Sequence, residues 1–446
     1  MYKLKISRIY YILSTVLSEP YLFFYRKKIK ALLDDDWRHN KSAYQKFQQI
    51  HLKKIISAAL KTNYYSRLVR EKKLPPQPTI HDFPIVDKSD FRENWKDHLA
   101  SNFLVPHTEK NTGGSTGQPF HFFVSLKNRQ FEYIHQTFFY ERFGYIRGEL
   151  IYSFGGTRLT QKDVKKRIFW KKTRKNFPFG AVSFAAIELN EDNSEFYINK
   201  ILNDRPSILK GYPSAIEFVA REVLKKCLSD QFNFLKGVML SSENVSRTQI
   251  DTIREGFNCD VYPQYGMTES CAFGFTNKNS LEYYCSPYYG YTEVLGKNDK
   301  HVGKGEIGEL VLTSLGNNYQ PFIRYRTGDL AEYGGVVNGF TLLNRIIGRS
   351  QDYIVTIDGK KIMLVGLIFG AHSSVFKKIK TWQIIQSQPG EIQVRVQTDT
   401  NWDDSAFDEL RMIFNCSGKV NVQIELTDNF VLTPAGKRKF VIQQIK

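Results

Sequence analysis

The sequence lacks a run of apolar residues long enough to cross a membrane, a CxxC pair, and any excess of acidic charge. Its most apolar stretch, Ile9 to Tyr25, is interrupted by Glu19 and Pro20 and falls short of the ~20 residues a spanning helix needs. No small-residue cleavage site follows it, which argues against a signal peptide and for an amphipathic helix, packed on the body of the protein or lying on a membrane surface, with packing favoured. Cysteine is scarce and odd in number: Cys227, Cys259, Cys271, Cys285 and Cys416. That count excludes a disulfide framework and a zinc module and fits a reducing cytoplasm. With only 15 prolines and 41% hydrophobic residues, the 446-residue chain reads as globular, with two or three domains. The net charge of +18 admits nucleic acid, an anionic membrane surface or anionic substrates as partners. The basic residues gather in patches, at Lys3 to Arg8, Arg26 to Lys30 and most densely Lys162 to Lys175. No RRM or zinc-finger signature accompanies them, so no nucleic-acid partner is expected. Solvated surface, or peripheral contact with an anionic membrane, accounts for the charge.

What the chain does have is a glycine-rich stretch, Asn111 to Phe120, NTGGSTGQPF, followed by the alternating apolar residues Phe120, Phe122 and Val124. Glycines let successive main-chain N–H groups turn inward as an anion nest, and Thr112, Ser115 and Thr116 add hydroxyl donors. The pattern is not a Walker loop, because Gly117 is followed by Gln118 and Pro119 with no lysine. Proline there favours extended backbone, so the stretch leads into a strand. Read alone, it is either a phosphate-wrapping loop or an ordinary turn between two strands.

The rest of the chain falls into order around it. Lys41 to Tyr65 reads as a helix with Tyr44, Phe47, Ile55 and Ala59 on one face. A proline-broken segment and a short helix from Asp87 to Trp95, with Asp87 as N-cap, follow. Ser125 caps a helix running to Phe143, on which His135 sits among phenylalanines, in the core or lining an acyl pocket. ELIYSFGG reads as a strand, ILKGYPSAIEFVAREVLKKC as a strand, a Gly-Tyr-Pro turn and a helix, and FLKGVMLSSEN and NCDVYPQYG as strand-to-loop units separated by the helix Ser246 to Glu255. This implies a largely parallel sheet with ligands beyond the carboxyl ends of its strands, where Tyr212, Ser241 to Glu243 and Tyr265 to Glu269 fall. From Tyr291 the pattern turns to strands, the third spanning Pro321 to Tyr333. After Gly348 a smaller α+β unit is expected, with hairpins at DYIVTIDGKKI and around Pro389-Gly390 and a helix from Asp403 to Phe414. The domains are thus 1–347, with a helical front end over 1–105, and 348–446.

Four further motifs follow the glycine-rich loop: YGMTES (Tyr265 to Ser270), RYRTGDL (Arg324 to Leu330), GRSQD (Gly348 to Asp352) and TPAGKRKF (Thr433 to Phe440). Together they resemble the ordered signatures of the adenylate-forming superfamily over roughly three quarters of the chain. LSSENV (Leu240 to Val245) before YGMTE is similar to the phenylacetate–CoA ligase branch. RYRTGDL and QDYIVTIDGKKI resemble its CapK-type members, which accompany polysaccharide biosynthesis genes. Phe120 departs from the family, many of whose members carry a lysine or polar group there.

The resemblance implies a large adenylate-forming domain, parallel-rich sheets plus a β-rich part, with a small mobile α+β lid. It implies ATP and Mg²⁺ as cofactors and a small-molecule carboxylic acid as substrate. The acceptor is left open between coenzyme A and the amine of a sugar or amino acid. Joining a carboxylate to the α-phosphate of ATP brings two anions together, so catalysis is mostly charge neutralisation and positioning. By resemblance, Thr112, Gly113, Gly114, Ser115, Thr116 and Gly117 hold the phosphates, and Glu269 holds Mg²⁺, a hard cation suited to carboxylate. Tyr265 stacks on adenine, with Gly266, Thr268, Ser242 and Glu243 lining the nucleotide. Asp329 and Arg349 meet the ribose, and Lys437 reaches the α-phosphate and the attacking carboxylate. Asp352 is the hinge, and His135, Tyr212 and Ser241 line the acid pocket. Other readings are an aryl-CoA ligase of catabolism, a non-catalytic binding protein of the same fold, and, from charge alone, a nucleic-acid-binding protein.

Overall fold

The structure is a computed structural model that describes residues 41–100, 107–112, 120–146, 148–172, 182–296, 299–349, 353–363, 375, 379–398, 402–432 and 438–445. The expected helix at 9–25, the basic clusters at 3–8 and 26–30, the loop residues 113–119, Asp352 and Lys437 lie outside them.

The front end is two helices rather than the single one expected: α1 (Lys41–Ala59) and α2 (Asn63–Arg70). Thr62 makes the break. Its hydroxyl donates to Ala59 O at 2.7 Å and accepts from Tyr65 N at 3.3 Å, closing one helix and capping the next. Tyr44, Phe47, Ile55 and Ala59 are buried, as the period implies. Helix α3 (Lys88–Glu93) follows, shorter than expected, and is capped by Asp87, which accepts from Ser89 N at 2.7 Å.

Strands β1 (His107–Thr112) and β2 (Phe120–Ser125) form an antiparallel hairpin in which Thr112 pairs with Phe120. Segment 113–119 therefore joins two paired strands. Ser125 caps α4 (Leu126–Glu141) by accepting from Asn128 N at 3.2 Å. Then come β3 (Ile151–Gly155), α5 (Gln161–Lys165), β4 (Trp170–Lys172), β5 (Val182–Ala185), α6 (Ser194–Asp204), β6 (Ile208–Gly211), α7 (Pro213–Lys225), β7 (Gly237–Leu240), α8 (Arg247–Phe257) and β8 (Val261–Gly266). Strands β9 (Phe273–Phe275), β10 (Tyr283–Cys285), β11 (Gly290–Leu295), β12 (Ile307–Ser314), β13 (Tyr325–Val337) and β14 (Phe340–Arg349) complete the large part.

Twelve of these strands make one sheet in the order β11-β12-β13-β14-β10-β9-β8-β7-β6-β3-β5-β4. Fewer than half of its pairings are parallel: β8, β7, β6, β3 and β5 run together, whereas β4–β5 and every pair from β8 through β9 to β11 are antiparallel. Helices cross over only in the parallel half, because parallel neighbours need long connections and antiparallel ones do not. The face of α7 read from the sequence, Ile216, Val219, Ala220 and Val223, is fully buried against that half. Strand β4 is the outer edge and carries exposed Lys171 and Lys172 from the basic stretch. Lysines on an edge strand discourage pairing with another chain, which gives part of that stretch a structural use.

Beyond residue 352 a separate core forms around Ile354, Val375, Ile384, Val394 and Leu410. It contains the hairpin β15 (Tyr353–Val355) and β16 (Lys361–Met363), strands β17 (Ile379–Gln388) and β18 (Glu391–Thr398), α9 (Asp404–Phe414), β19 (Asn421–Leu426) and β20 (Val441–Gln443). The last four strands make a sheet in the order β19-β18-β17-β20. Asp403 caps α9 by accepting from Ala406 N at 3.0 Å.

Candidate functional site

The sheet changes from parallel to antiparallel at β8, and the motif YGMTES sits at that seam. Tyr265 and Gly266 end β8, Gly266 pairs with Phe273 of β9, and Thr268, Glu269 and Ser270 lie in the connecting loop. Ser270 holds a left-handed φ of +59°, uncommon for a residue with a side chain and often a mark of a constrained site. Glu269 is 3% exposed. Its Oε1 accepts the Tyr325 hydroxyl at 3.2 Å. Burial pushes its carboxyl up from the ordinary range, Lys88 at the start of α3 pulls it back, and Asp329 adds a further push upward.

Asp329 approaches from β13. It is directly opposite Arg349 in the β13–β14 register, so the two ribose candidates share one rung of the sheet. The Tyr265 hydroxyl donates to Asp329 Oδ2 at 2.8 Å, and Asp329 N donates to Thr327 Oγ1 at 2.9 Å. Burial, and then the Asp329 carboxylate, push the Tyr265 phenol well up, so it stays a neutral donor. The site thus gathers Tyr265, Glu269, Asp329 and the backbone of Arg349 at the seam. Arg324, the first residue of RYRTGDL, belongs elsewhere. It makes a two-pronged ion pair with buried Glu293, at 3.1 and 3.2 Å, and fixes the start of β13. Strand β13 accordingly starts at Tyr325, later than Pro321, and Arg324 itself has φ of +45°.

The β1–β2 hairpin is tied beside this region. Phe123 N donates to Gln320 Oε1 at 2.7 Å, Asn317 Nδ2 donates to Phe123 O at 2.8 Å, and Phe122 meets Phe322 edge to face. The hairpin that carries the glycine-rich segment is therefore anchored to the chain leading into β13. Only the backbone of Thr112 is described; Gly113, Gly114, Ser115, Thr116 and Gly117 are not.

Tyr212 and Ser241 to Glu243 lie at the carboxyl ends of β6 and β7, as expected. Ser241 N donates to Gly211 O at 3.0 Å, and Ser242 is left-handed at φ +73°. Glu243 is already occupied by protein. Its Oε2 accepts Ser214 N at 3.0 Å, and its Oε1 accepts the Ser214 hydroxyl at 3.0 Å and Arg438 N at 2.8 Å. It serves as a remote cap for α7, whose own N-cap residue, Tyr212, provides no side-chain bond. His135 is 1% exposed, its Nδ1 3.0 Å from Phe131 O and its Nε2 3.4 Å from Ser286 Oγ. Burial lowers its pKa to about 4, and it packs with Phe131, Phe273 and Tyr289 as a neutral core residue.

Among the described residues no group of three or more His, Cys, Asp or Glu forms a multi-ligand metal cluster. A hard cation would rest on Glu269, a buried carboxylate whose raised pKa leaves its charge under-compensated, together with phosphate oxygens of a substrate. That donor set fits Mg²⁺, which ordinarily takes one or two carboxylates and completes its shell with phosphate and water.

Two partners were not assigned from the sequence. Tyr325, Thr327 and Asp329 alternate on one strand, so the period of two could have placed Tyr325 beside the site. No local spacing announces Lys88, which arrives from the front end.

Comparison with known proteins bears on the fold and on the relatives of the chain. Residues 354–444 match the family described as the CapK C-terminal domain. The chain is 25% identical to protein CapK of Staphylococcus aureus over 398 residues, 86% of each protein. It is also 25% identical to phenylacetate-coenzyme A ligase of Thermus thermophilus over 183 residues, 39% of this chain and 41% of that one. Among solved structures, 2-hydroxyisobutyryl-CoA ligase in the postadenylation state aligns with a TM-score of 0.61 at 20% identity, covering 90% of this chain and 88% of that chain. The same ligase in the thioesterification state aligns with a TM-score of 0.52 at 21% identity, covering 91% and 90%. The chain is therefore CapK-like over most of its length and has the fold of the adenylate-forming ligases.

Proposed function

We propose that this CapK-like chain is an ATP-dependent, AMP-forming ligase that activates a carboxylic acid as its acyl-adenylate and passes the acyl group to a thiol or an amine. The observation that carries this reading is the convergence, at the sheet's seam, of Tyr265, Glu269 and the Asp329–Arg349 rung. These residues come from three separated motifs, and together they offer a ring face, a buried carboxylate and an oriented carboxylate on a strand to one ligand.

Each residue has work suited to its setting. Asp329, fixed by Tyr265 and Thr327, is an oriented acceptor for vicinal hydroxyls such as those of ribose. Tyr265 offers its ring to a base while its hydroxyl is engaged. Bound Mg²⁺ would neutralise charge on the phosphates beside Glu269. The glycine-rich segment supplies main-chain donors to phosphate, and Lys437 brings a cation to the carboxylate and α-phosphate. The acyl pocket is placed near Tyr212 and Ser241, at the ends of β6 and β7.

The physiological setting rests on the CapK resemblance alone: activation of an acid in surface polysaccharide biosynthesis, at the cytoplasmic side with peripheral membrane contact. No helix among the described residues is long and apolar enough to cross a membrane. ATP–pyrophosphate exchange over aryl acids, hydroxy acids, amino acids and uronic acids tests the activity. Exchange with one class, lost in Lys437→Ala, is the expected result. No exchange with any acid, while ATP still binds, would leave a non-catalytic binding protein of the same fold.

A further inference from the structure

The large part and the C-terminal lobe are joined by charged groups to which neither the motifs nor the comparisons give a joining role. Glu217, on α7, is 4% exposed. Its Oε1 lies 2.7 Å from Arg221 Nη2, its Oε2 accepts Gln249 Nε2 at 2.9 Å, and that same Oε2 stands 4.0 Å from Arg438 Nη1 of the lobe. Arg221 in turn reaches Asp428 of the lobe at 3.9 Å. The charges alternate in sign, Asp428, Arg221, Glu217, Arg438, and cross between the two parts twice. Arg438 is gripped again through its backbone, whose N–H donates to Glu243 Oε1 at 2.8 Å. Its guanidinium lies 5.1 Å from the centre of the Phe430 ring within the lobe.

Position in the chain gives this cluster its meaning. Arg438 directly follows Lys437, and it pairs with Leu432 in an isolated antiparallel bridge. The grip therefore falls on the residue next to the proposed catalytic lysine. The Arg221–Asp428 link is the exposed end of the cluster and is the part that salt screens. Breaking one partner leaves the other charge poorly compensated.

We propose that Glu217 and Glu243 are positioning residues, a clasp that holds Arg438, the residue after Lys437, against the large part during adenylate formation and lets go for the acceptor step. The inference rests on the adenylation reading for its purpose. The clasp can release because its links are polar and can be taken over by water, unlike an apolar seam.

The test measures the arrangement directly, in the full-length chain. Cys227 is exposed in the large part, and Met412 is 73% exposed in the lobe. Spin labels at Cys227 and at Met412→Cys, with Cys259 and Cys416 replaced by serine, report the distance between the parts by pulsed electron resonance. The probe ligand is Mg²⁺-ATP. We expect one dominant distance in the otherwise wild-type protein. Glu217→Gln and Arg438→Gln should each move a substantial share of molecules to a second distance, and Arg438→Lys should largely restore the first. Raising salt should shift the wild type in the same direction. If both neutral variants fold, as judged by their melting, and keep the wild-type distance distribution with ATP and in salt, the clasp is passive and the proposal falls. This measurement needs no turnover. Loss of pyrophosphate exchange with every acid would therefore overturn the adenylation reading while leaving the clasp itself judged on its own data.

Discussion

The hydroxyl of Tyr265, at the end of β8, donates to Asp329 Oδ2 in β13 at 2.8 Å. This bond ties the last parallel strand of the sheet to its antiparallel half, joining two consecutive signatures, and leaves the tyrosine ring to act through its face alone. Tyr265→Phe should therefore cost about 0.5–1.5 kcal/mol of stability, the usual net worth of such a hydrogen bond. It should change nucleotide affinity only modestly, whereas Asp329→Ala should abolish measurable ATP binding. Urea denaturation and titration calorimetry with a non-hydrolysable ATP analogue check the two halves. Equal, small effects of both substitutions on affinity would show that nucleotide does not meet Asp329.

Gly211 ends β6 immediately before Tyr212, with φ of +134°, and a Cβ there would lie 1.9 Å from the carbonyl oxygen of Phe154. That oxygen belongs to the neighbouring strand and accepts Tyr212 N at 3.2 Å, so it cannot yield without unpairing the strand ends. Gly211→Ala should destabilise the protein by roughly 1–3 kcal/mol or more, the scale of forced overpacking and backbone strain. Gly155→Ala is the control, since nothing lies within 4 Å of a Cβ at that position. A Gly211→Ala protein with the wild-type urea midpoint would contradict this account.

Local signals were the legible part of the fold. Asp87, Ser125, Ser246 and Asp403 each cap a helix, because a side-chain oxygen followed by a periodic apolar face is written within a few residues. The turn at Pro389-Gly390 and the buried face of α7 were readable for the same reason. The break at Thr62 was not, since the aromatic period runs on through Tyr64 and Tyr65 while one hydroxyl ends a helix and starts another. The antiparallel half of the sheet was only partly legible: its strands read from Tyr291, but its junction with β8 depends on pairing between distant segments. At the site, motifs named Glu269 and Asp329, and only tertiary contact revealed Tyr325, Lys88 and the second attachment of Glu243.

His98 lies between the rings of Tyr64 and Phe91, at 4.3 and 4.2 Å between centroids, and burial lowers its pKa to about 4. A histidine whose folded pKa is depressed stays neutral in the native protein while the unfolded chain takes up a proton. Between the unfolded value of about 6.5 and about 4, the unfolded state binds more protons, so stability rises with pH across that window. His135 has the same setting and the same sign. His98→Phe keeps the aromatic stack and removes one titration. It should flatten the slope of stability against pH by up to about 1.4 kcal/mol per pH unit, with little change above pH 7. Urea titrations from pH 4 to 7.5 on both proteins check it, and identical slopes would refute it.

Glu269 gives the most discriminating prediction, because its stability and activity effects should have opposite signs. Burial raises its carboxyl pKa in the folded protein, against a partial pull from Lys88 and from the Tyr325 hydroxyl. A raised folded value means that its contribution to stability is present at low pH and is lost as pH rises through that value. Ligand-free Glu269→Gln should therefore be no more stable than wild type near pH 4, yet more stable near pH 8. The amide oxygen still accepts from Tyr325, so the bond at 3.2 Å need not be lost. A cation beside the carboxylate favours its charged form, so Mg²⁺-ATP should narrow the stability gap at pH 8 by stabilising only the wild type. Adenylate formation, in contrast, should fall by roughly 10²–10³-fold in the variant, the scale for losing one charge-stabilising group. Melting curves with and without Mg²⁺-ATP, set beside single-turnover adenylation, read both effects on the same preparation. A Glu269→Gln protein that is less stable at pH 8, indifferent to Mg²⁺ and still able to form adenylate at the wild-type rate would make Glu269 a structural partner of Tyr325 and remove the metal from this site.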